Sequence, residues 1–217
     1  MRGDMEQKGI LIVLSGFSGA GKGTVVKRLL QKYDNEYALS ISMTTRTPRT
    51  GEKDGVEYFF TTREKFEEII VQNGLIEYAL YCGNYYGTPR AYVEEQLSAG
   101  RNVILEIEIQ GALKIQEKFP ESLLIFVTPP SVRELKRRLE GRGTEEPEVI
   151  ARRLARAAEE SEGINAYDYI VVNDDLEVCV DEIHRLVDVA RRAPVRSQEF
   201  IKKIREELKG FVKGADS

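Results

Sequence analysis

One segment of the chain sets its architecture: residues 16–24 read Gly16-Phe17-Ser18-Gly19-Ala20-Gly21-Lys22-Gly23-Thr24. Five apolar residues, 10–14, come directly before it, and a stretch with helical periodicity follows. Glycines let backbone N–H groups turn inward around a polyphosphate, the helix N-terminus adds a positive dipole, and the lysine supplies charge for the outer phosphates. The sequence therefore predicts a nucleotide-binding loop between the first strand and the first helix.

The lysine of this loop is followed by glycine, which departs from the strict pattern of phosphate-binding loops. The spacing Gly-x4-Gly-Lys is met, but Gly23 follows Lys22, and the hydroxyl comes one place later at Thr24. A direct hydroxyl ligand to magnesium from position 23 is therefore excluded. Thr24 is the remaining candidate for the metal, acting largely through water, and capping of the helix is its alternative role.

The composition indicates an α/β unit and argues against several other classes of protein. The 217 residues include 32 basic and 36 acidic ones, a net charge of −4, so no global positive field recruits nucleic acid. Cys82 and Cys179 lack metal-ligand spacing, and the single histidine, His184, lies in a helical pattern, which disfavours a zinc site or a histidine mechanism. The apolar run 10–14 is too short for a signal peptide or a membrane span, and we expect a cytoplasmic protein.

Strand-like and helical segments alternate along the chain, which predicts a parallel sheet wrapped by helices. We expect an α/β core with a five-stranded parallel sheet, whose strands include the β-forming runs 103–109, 123–127 and 169–172. A basic, tyrosine-rich insertion and an arginine-bearing helix–Gly–helix element interrupt this rhythm and should flank one cleft. The predicted division is a core at 9–42, 89–137 and 157–193, a small mixed insertion at 43–88, a helical lid at 138–156 and a C-terminal helical extension at 194–217.

The insertion begins with two arginines that suit the binding of a second anion. Arg46 and Arg49 lie three residues apart in a loop rich in proline and glycine, so both guanidinium groups can reach one phosphate. Tyr58 and Tyr86 carry phenolic hydroxyls that could donate to the same group. Taken singly, each arginine reads as a solvated loop charge and each tyrosine as the edge of a core.

The stretch that contains these residues, 42–60, resembles the segment with which guanylate kinases bind a nucleoside monophosphate. Further stretches resemble that family in the same order, and together they cover residues 9–186, which is a whole domain. They are Ile76-Glu77-Tyr78, Gly83-Asn84-Tyr85-Tyr86-Gly87-Thr88, Gln110-Gly111, Pro129-Pro130-Ser131, Leu139-Glu140-Gly141-Arg142-Gly143-Thr144 and Val172-Asn173-Asp174-Asp175.

The resemblance implies a site for GMP, and for dGMP, in which Arg46, Arg49, Tyr58 and Tyr86 hold the phosphate. The carboxylate of Glu77 would bind the base, and the hydroxyls of Ser42 and Thr88 would complete the pocket. This is chemically reasonable because guanine presents N1–H and N2–H2 as adjacent donors, whereas adenine has an acceptor at N1. Without the resemblance, Glu77 would be read as a surface charge.

Two further carboxylates, Glu106 and Glu108, alternate with Leu105 and Ile107, which predicts that both project from one face of a strand. In the family this position more often has aspartates, near the guanosine and the water shell of magnesium. The resemblance therefore adds Glu106 and Glu108 to the GMP site. A structural salt bridge to an arginine of the loop at 46–49 is an equally good interpretation.

The reaction that the resemblance implies is transfer of the γ-phosphoryl group of ATP, with Mg²⁺, to GMP. A monophosphate oxygen is already anionic near neutral pH, so no general base is required, and cations must align two polyanions. The loop at 16–24 would bind ATP, with Asn173 near the adenine. The implied catalytic residues are Lys22, Arg46, Arg138, Arg142 and Arg153.

Each lid arginine taken singly has a simpler interpretation as a solvated charge, since the runs Lys136-Arg137-Arg138 and Arg152-Arg153 are typical of solvated helix faces. Gly141 and Gly143 favour the lid, because they form a flexible corner between helices. Two rival functions are a peptide-binding scaffold domain of the same fold and a kinase with another acceptor. After Pro194 a last amphipathic helix begins, and its apolar residues suit either packing on the core or association into a homo-oligomer.

Overall fold

The computed structural model describes residues 8–81, 83–141 and 147–215. Strands and helices alternate along nearly the whole chain, and short 3-10 turns occur at Ile164–Ala166 and Pro194–Arg196. In chain order the elements are β1 (Leu11–Gly16), α1 (Lys22–Lys32), β2 (Tyr37–Leu39), β3 (Met43–Thr44), β4 (Phe59–Phe60), α2 (Arg63–Val71), β5 (Leu75–Tyr81), β6 (Asn84–Pro89), α3 (Arg90–Ser98), β7 (Asn102–Glu106), α4 (Ile109–Lys118), β8 (Leu123–Thr128), α5 (Val132–Glu140), α6 (Pro147–Ser161), β9 (Tyr169–Val172), α7 (Leu176–Ala190) and α8 (Gln198–Ala215).

The larger sheet has five parallel strands in the order β2-β7-β1-β8-β9, as the sequence predicts. Its central strands are apolar on both faces because helices cover both. Ile12 and Leu14 of β1 pack with α1 and α7, while Leu11 and Val13 pack with α3 and α4. The carboxyl ends of β1, β7 and β8 therefore meet at one edge, where α1 begins.

Strand β7 is shorter than the predicted strand 103–109, and it ends at Glu106. Its pairing with β1 stops at Leu14 opposite Glu106, where β1 runs on toward the phosphate loop. Ile107 and Glu108 leave the sheet, and Glu108 is the N-cap residue of α4. The prediction that Glu106 and Glu108 share one face of a strand is therefore wrong.

The insertion forms a second sheet in the order β4-β3-β6-β5, with one parallel pair and two antiparallel pairs. The predicted small mixed insertion is confirmed. Phe66 of α2 is buried against it, and its ring stacks on that of Tyr85 at 5.0 Å. The antiparallel strands β5 and β6 form a hairpin that presents alternate side chains toward the cleft.

The last helix, α8, is amphipathic and leaves its apolar side chains in contact with solvent. Phe200, Ile204, Leu208 and Phe211 are between 38% and 81% exposed. Of the apolar residues that the sequence singled out on this helix, Ile201 is half-buried, while Phe200, Ile204 and Leu208 are exposed and do not pack on the core. Across the part of the chain that the structure describes, no helix is both long and apolar enough to cross a lipid bilayer.

Candidate active site

The loop between β1 and α1 has the conformation that a phosphate-binding loop needs. Gly21 has φ 90°, and a Cβ added there would lie 2.6 Å from Asn173 Nδ2. At Gly16 an added Cβ would lie 2.0 Å from the carbonyl oxygen of Val127, because β8 runs alongside. Only glycine fits at these two positions, and the chain after Gly21 turns directly into α1.

The charge of Lys22 is held over this loop. Its Nζ donates to the carbonyl oxygen of Gly16 at 2.6 Å and to that of Phe17 at 3.3 Å. Ser18, Gly23 and Thr24 are exposed to solvent. The first turn of α1 and the ammonium therefore present positive charge to the same space, which suits an oligophosphate.

Asn173 and Arg138 both reach the loop from distant parts of the chain. Asn173 is 7% exposed, and its Nδ2 donates to the carbonyl oxygen of Ala20 at 2.8 Å. Arg138 Nη1 lies 3.4 Å from the same oxygen, and its Nη2 donates to the carbonyl oxygen of Asn173 at 2.8 Å. The structure thus brings together Ala20, Arg138 and Asn173, which the sequence singled out separately. Asn173 supports the phosphate loop through its hydrogen bond to Ala20.

Helices α5 and α6 pack on each other above the loop. Leu135 and Leu139 of α5 form a small apolar cluster with Ile150 and Ala157 of α6, and Phe17 of the loop packs against it. Arg153 of α6 is half-buried. Arg142, the third predicted lid arginine, lies outside the described residues.

Arg46 lies in the loop that follows β3, and its guanidinium is held by a carboxylate, Glu52, to which the sequence analysis assigned no role. Its Nη2 is 2.9 Å from both oxygens of Glu52, and its Nη1 donates to the carbonyl oxygen of Thr47 at 2.8 Å. Glu52 Oε2 also accepts from the backbone N–H of Arg49 at 2.7 Å. That N–H, together with the Arg46 guanidinium, holds the pKa of Glu52 below its usual value. The signal available in the sequence was the acidic residue Glu52, three places after Arg49, in a loop with two arginines.

The two predicted tyrosines lie together next to this loop. The rings of Tyr58 and Tyr86 meet edge to face with centroids 5.9 Å apart, and the Arg46 guanidinium is 5.3 Å from the Tyr58 ring centroid. Burial raises the pKa of Tyr58, so its hydroxyl keeps its proton and can donate a hydrogen bond. Arg49 is exposed at the rim of the same loop.

Glu77 is a buried carboxylate on the β5–β6 hairpin. Leu75, Ile76 and Glu77 are buried in succession, which a regular strand with one covered face would not give. The β5–β6 register shifts between Leu75 and Tyr78, and such a bulge turns a side chain to the other face. Burial raises the pKa of Glu77, and a hydrogen bond from Thr88 opposes that rise.

Thr88 lies in β6, which pairs with the strand that carries Glu77, so the two side chains can meet. The sequence analysis placed Thr88 in the GMP pocket, and its Oγ1 donates to Glu77 Oε1 at 2.8 Å. Tyr86 precedes Thr88 by two residues in β6, so their side chains project to the same face. Ser42 is half-buried just before β3, and its carbonyl oxygen accepts from Phe59 N at 2.9 Å.

The structure separates the two carboxylates of the segment 105–108. Glu106 faces the phosphate loop, and its oxygens lie 3.9 and 4.0 Å from the place of a Cβ added at Gly23. Desolvation raises the pKa of Glu106, and the charge of Lys22 opposes the rise. Glu108 instead pairs with Arg156 of α6 at 2.6 Å. The expected salt bridge thus exists, but its partner lies on α6 and not in the loop at 46–49.

These features suit one class of protein, the phosphotransferases, with an oligophosphate at the loop 16–24 and a second anion at the insertion that carries Arg46. Residues 8–190 match the family model described as guanylate kinase. The guanylate kinase of Streptococcus mutans is 49% identical over 205 residues, covering 94% of this chain and 98% of that protein. The guanylate kinase of Halalkalibacterium halodurans is 54% identical over 182 residues, covering 84% and 89% of the two chains.

A solved structure gives the same result. The crystal structure of guanylate kinase from Anaplasma phagocytophilum has a TM-score of 0.69 and 36% identity, and covers 88% of this chain and 90% of that one. The chain belongs to the guanylate kinase family and is an enzyme. The scaffold-domain interpretation is therefore set aside, and the fold predicted from the sequence, a P-loop α/β core with two inserted segments, is confirmed.

Proposed function

We propose that the enzyme transfers the γ-phosphoryl group of MgATP to GMP, and to dGMP, and so recycles these monophosphates in purine nucleotide metabolism. Family membership supports ATP-dependent conversion of GMP to GDP. The observation that carries the proposal is the buried carboxylate of Glu77, oriented by Thr88, on the same small sheet as Tyr86, while Arg46 lies in the loop that follows β3 of that sheet and contacts the Tyr58 ring. A base-reading acceptor and a phosphate-binding group thus lie on one surface.

Glu77 would select guanine. An ionised carboxylate accepts from N1–H and N2–H2 of guanine together, while adenine would bring the lone pair of N1 against it. Thr88 Oγ1 donates to one carboxylate oxygen, which fixes the orientation of the group and favours its charged form. Ser42 would complete the base pocket.

The phosphate of GMP would lie between Arg46, Arg49, Tyr58 and Tyr86. Arg46 is already held in place by Glu52 on one side of its guanidinium, which lowers the entropy lost when a phosphate binds. These assigned contacts are to the base and the phosphate, so nothing among them reads the 2′-hydroxyl. This is why dGMP belongs in the proposal.

The donor ATP would bind at the phosphate loop, and the lid residues would complete the site. Lys22 and the loop N–H groups would hold the phosphates, and Arg138, Arg142 and Arg153 would approach the transferred group. Asn173 would contribute by supporting Ala20. The loop residues assigned to ATP are Gly16, Ser18, Gly19, Ala20, Gly21, Lys22, Gly23 and Thr24.

Magnesium fits this site through water and not through a protein cage. Within the described ranges, no group of three or more His, Cys, Asp or Glu side chains could hold a metal ion. Mg²⁺ keeps several of its waters and takes phosphate oxygens readily, so Thr24 and Glu106 would hold a bound ion through its water shell. When bound, the ion neutralises charge on the β- and γ-phosphates.

Catalysis then consists of alignment and charge neutralisation. The acceptor oxygen of GMP is anionic near neutral pH, so the residues need not remove a proton. Arg46 would hold the acceptor, and Lys22 and Arg138 would balance the charge that spreads over the moving phosphoryl group. Glu108 would act indirectly, because its pairing with Arg156 joins α6 to the turn before α4.

The division of the chain belongs to the same proposal. Residues 43–88 would move as the GMP-binding insertion and 138–156 as the lid, over a core formed by 9–42, 89–137 and 157–193. We infer a cytoplasmic location, where ATP and the monophosphates are available. Self-association through 194–217 stays a prediction, and the exposed apolar stripe of α8 supports it.

An assay of ADP formation from MgATP tests the reaction directly. GMP, dGMP, AMP, CMP and UMP are offered separately, and the nucleotide products are identified by chromatography. We expect ADP with GMP and dGMP, together with GDP and dGDP. ADP formation with AMP or UMP at a comparable rate would reject Glu77 as the selecting group, and no ADP with any acceptor would reject the function.

A further inference from the structure

Glu134, which the mechanism above does not use, lies in the first turn of α5. Its backbone N–H donates to Oγ of the N-cap residue Ser131 at 3.1 Å, and this bond holds the backbone of Glu134 in the first helical turn. The side chain is 19% exposed, although glutamate is usually a solvated residue. It points along the helix toward the next turn, where two arginines follow one another.

Both carboxylate oxygens of Glu134 accept hydrogen bonds from these arginines. Arg137 donates Nε to Oε2 at 2.7 Å and Nη2 to Oε1 at 2.6 Å. Arg138 donates Nε to Oε1 at 2.7 Å. The bonds from Arg137, and then those from Arg138, hold the pKa of Glu134 at about 2, so it is ionised at every pH at which the enzyme would work.

The two arginines differ in how many of their N–H groups bond to Glu134. Arg137 is 73% exposed and uses two donors on Glu134, whereas Arg138 is 21% exposed and gives Glu134 only its Nε. The Nη groups of Arg138 are thereby directed at the phosphate loop, where they meet the carbonyl oxygens of Ala20 and Asn173. The contact with Ala20 is long, 3.4 Å, and a phosphate oxygen is a much stronger acceptor.

We propose that Glu134 is a positioning residue for phosphoryl transfer: it keeps Arg138 Nε fixed while the Nη groups exchange carbonyl oxygens for those of the transferred phosphate. The proposal rests on the role given to Arg138 in the proposed function. The physical reason is conformational entropy, since an arginine side chain has four rotatable bonds and one held Nε removes most of its freedom before the substrate arrives. Glu134 itself need not touch either nucleotide.

A purely structural role is the competing explanation. A glutamate in the first turn interacts favourably with the helix dipole, and its pairs with Arg137 and Arg138 are spaced i,i+3 and i,i+4, like many solvated pairs. The same helix offers a matched comparison, because exposed Glu140 forms an i,i+4 pair with Lys136 at 3.7 Å and makes no described contact with Arg138. A structural role would make these two glutamates similar in effect on activity.

The test measures kcat and KM for ATP and for GMP in the full-length enzyme, with the melting temperature of each variant. Glu134→Ala should lower kcat roughly 10- to 100-fold, the loss expected for one charged hydrogen bond, with KM for GMP within about twofold. Glu134→Gln keeps an acceptor for Nε and should fall between Ala and the wild type. The controls Glu140→Ala and Arg137→Ala should stay within about twofold in kcat.

A double variant separates positioning from folding. In an Arg138→Ala background, Glu134→Ala should lower kcat by less than about twofold more, because its effect passes through Arg138. Equal losses in both backgrounds, or equal losses for Glu134→Ala and Glu140→Ala, would overturn the proposal while leaving the function intact. If Glu134→Ala does not fold, wild-type kcat in Glu134→Gln would overturn it. Absence of ADP formation by the wild type would overturn both.

Discussion

Thr88 Oγ1 donates a hydrogen bond of 2.8 Å to Glu77 Oε1 within the β5–β6 hairpin. The hairpin bulge turns Glu77 inward, and the hydroxyl then fixes which way its oxygens face. Burial of a carboxylate destabilises its charged form, whereas a hydrogen bond from a hydroxyl stabilises it. The pair therefore keeps an acceptor available in a nearly dry pocket.

Replacing this acceptor should affect GMP alone. In Glu77→Gln the side chain keeps its shape but presents one N–H2 donor toward a base that also donates. We expect KM for GMP to rise roughly 10- to 100-fold with KM for ATP within about twofold. Steady-state kinetics with each substrate varied would check this. An unchanged KM for GMP would reject the assignment of Glu77.

The same substitution should stabilise the fold, in a way that depends on pH. The pKa of Glu77 in the folded protein is raised above its ordinary value of 4.5, so the wild type loses stability as pH rises through that raised value. Glutamine carries no charge at any pH. Glu77→Gln should therefore raise the melting temperature at pH 7 and have little effect at pH 4.

Melting curves from pH 4 to 8 would measure this difference, with Glu140→Gln, an exposed position on α5, as the control. The control should show the same small difference from the wild type throughout. A Glu77→Gln advantage that grows toward acid would contradict the sign of the pKa shift. Together with the kinetic result, the prediction describes a residue that costs stability in return for selectivity.

Lys22→Ala should remove activity while leaving the fold intact. The ammonium donates to backbone carbonyl oxygens of its own loop, and its charge also acts on Glu106, so its loss should raise the pKa of Glu106 further without removing a core contact. We expect kcat to fall by at least about 100-fold and the melting temperature to change by less than about 4 °C. Lys27→Ala, at an exposed position on the same helix, should retain full activity. Comparable activity in the two variants would reject the role of Lys22.

Gly21→Ala should damage both the loop and the protein. The residue has φ 90°, and an added Cβ would lie 2.6 Å from Asn173 Nδ2, so Asn173 would be pushed off Ala20. We expect a loss of roughly 1–3 kcal/mol in urea unfolding and weaker ATP binding by calorimetry. Gly210→Ala is the matched control, since nothing surrounds that position on α8. It should stabilise by up to about 1 kcal/mol and leave ATP binding unchanged.

The exposed stripe of α8 should mediate self-association. Light scattering after size exclusion should give a mass above the 24.6 kDa of one chain. Leu208→Glu places a charge in the centre of the stripe and should return the mass to one chain without loss of kcat. A single-chain mass for the unaltered protein at about 100 µM would contradict this expectation.

Much of the donor side could be predicted from the sequence, because the phosphate loop is local. Its glycines, its lysine and the strand and helix around it lie within about 25 residues, and their periodicity is clear. The five-stranded parallel sheet could also be predicted, because strand-like and helical segments alternate clearly along the chain. The acceptor side needed the family resemblance, since Arg46 and Glu77 alone look like ordinary surface charges.

The contacts that depend on where strands end could not be predicted. Glu106 and Glu108 separate because β7 loses its partner at Leu14, which no alternation within the segment reveals. Glu77 faces inward because of a bulge set by pairing with β6. The spacing of Ser131 and Glu134 predicts a capping box at the start of α5, and the structure confirms Ser131 as the N-cap, but the bond from Arg138 to Glu134 beside the phosphate loop could not be predicted from that spacing.

The hydrogen bond from Asn173 to Ala20 joins residues 153 positions apart. On the ribosome, the phosphate loop is synthesised early, but its support emerges only after β9 has been made. A nascent chain that stops before this strand has the whole loop and lacks the amide that braces it. The phosphate loop therefore acquires this support only when most of the domain has been synthesised, although its own sequence is among the first to leave the ribosome.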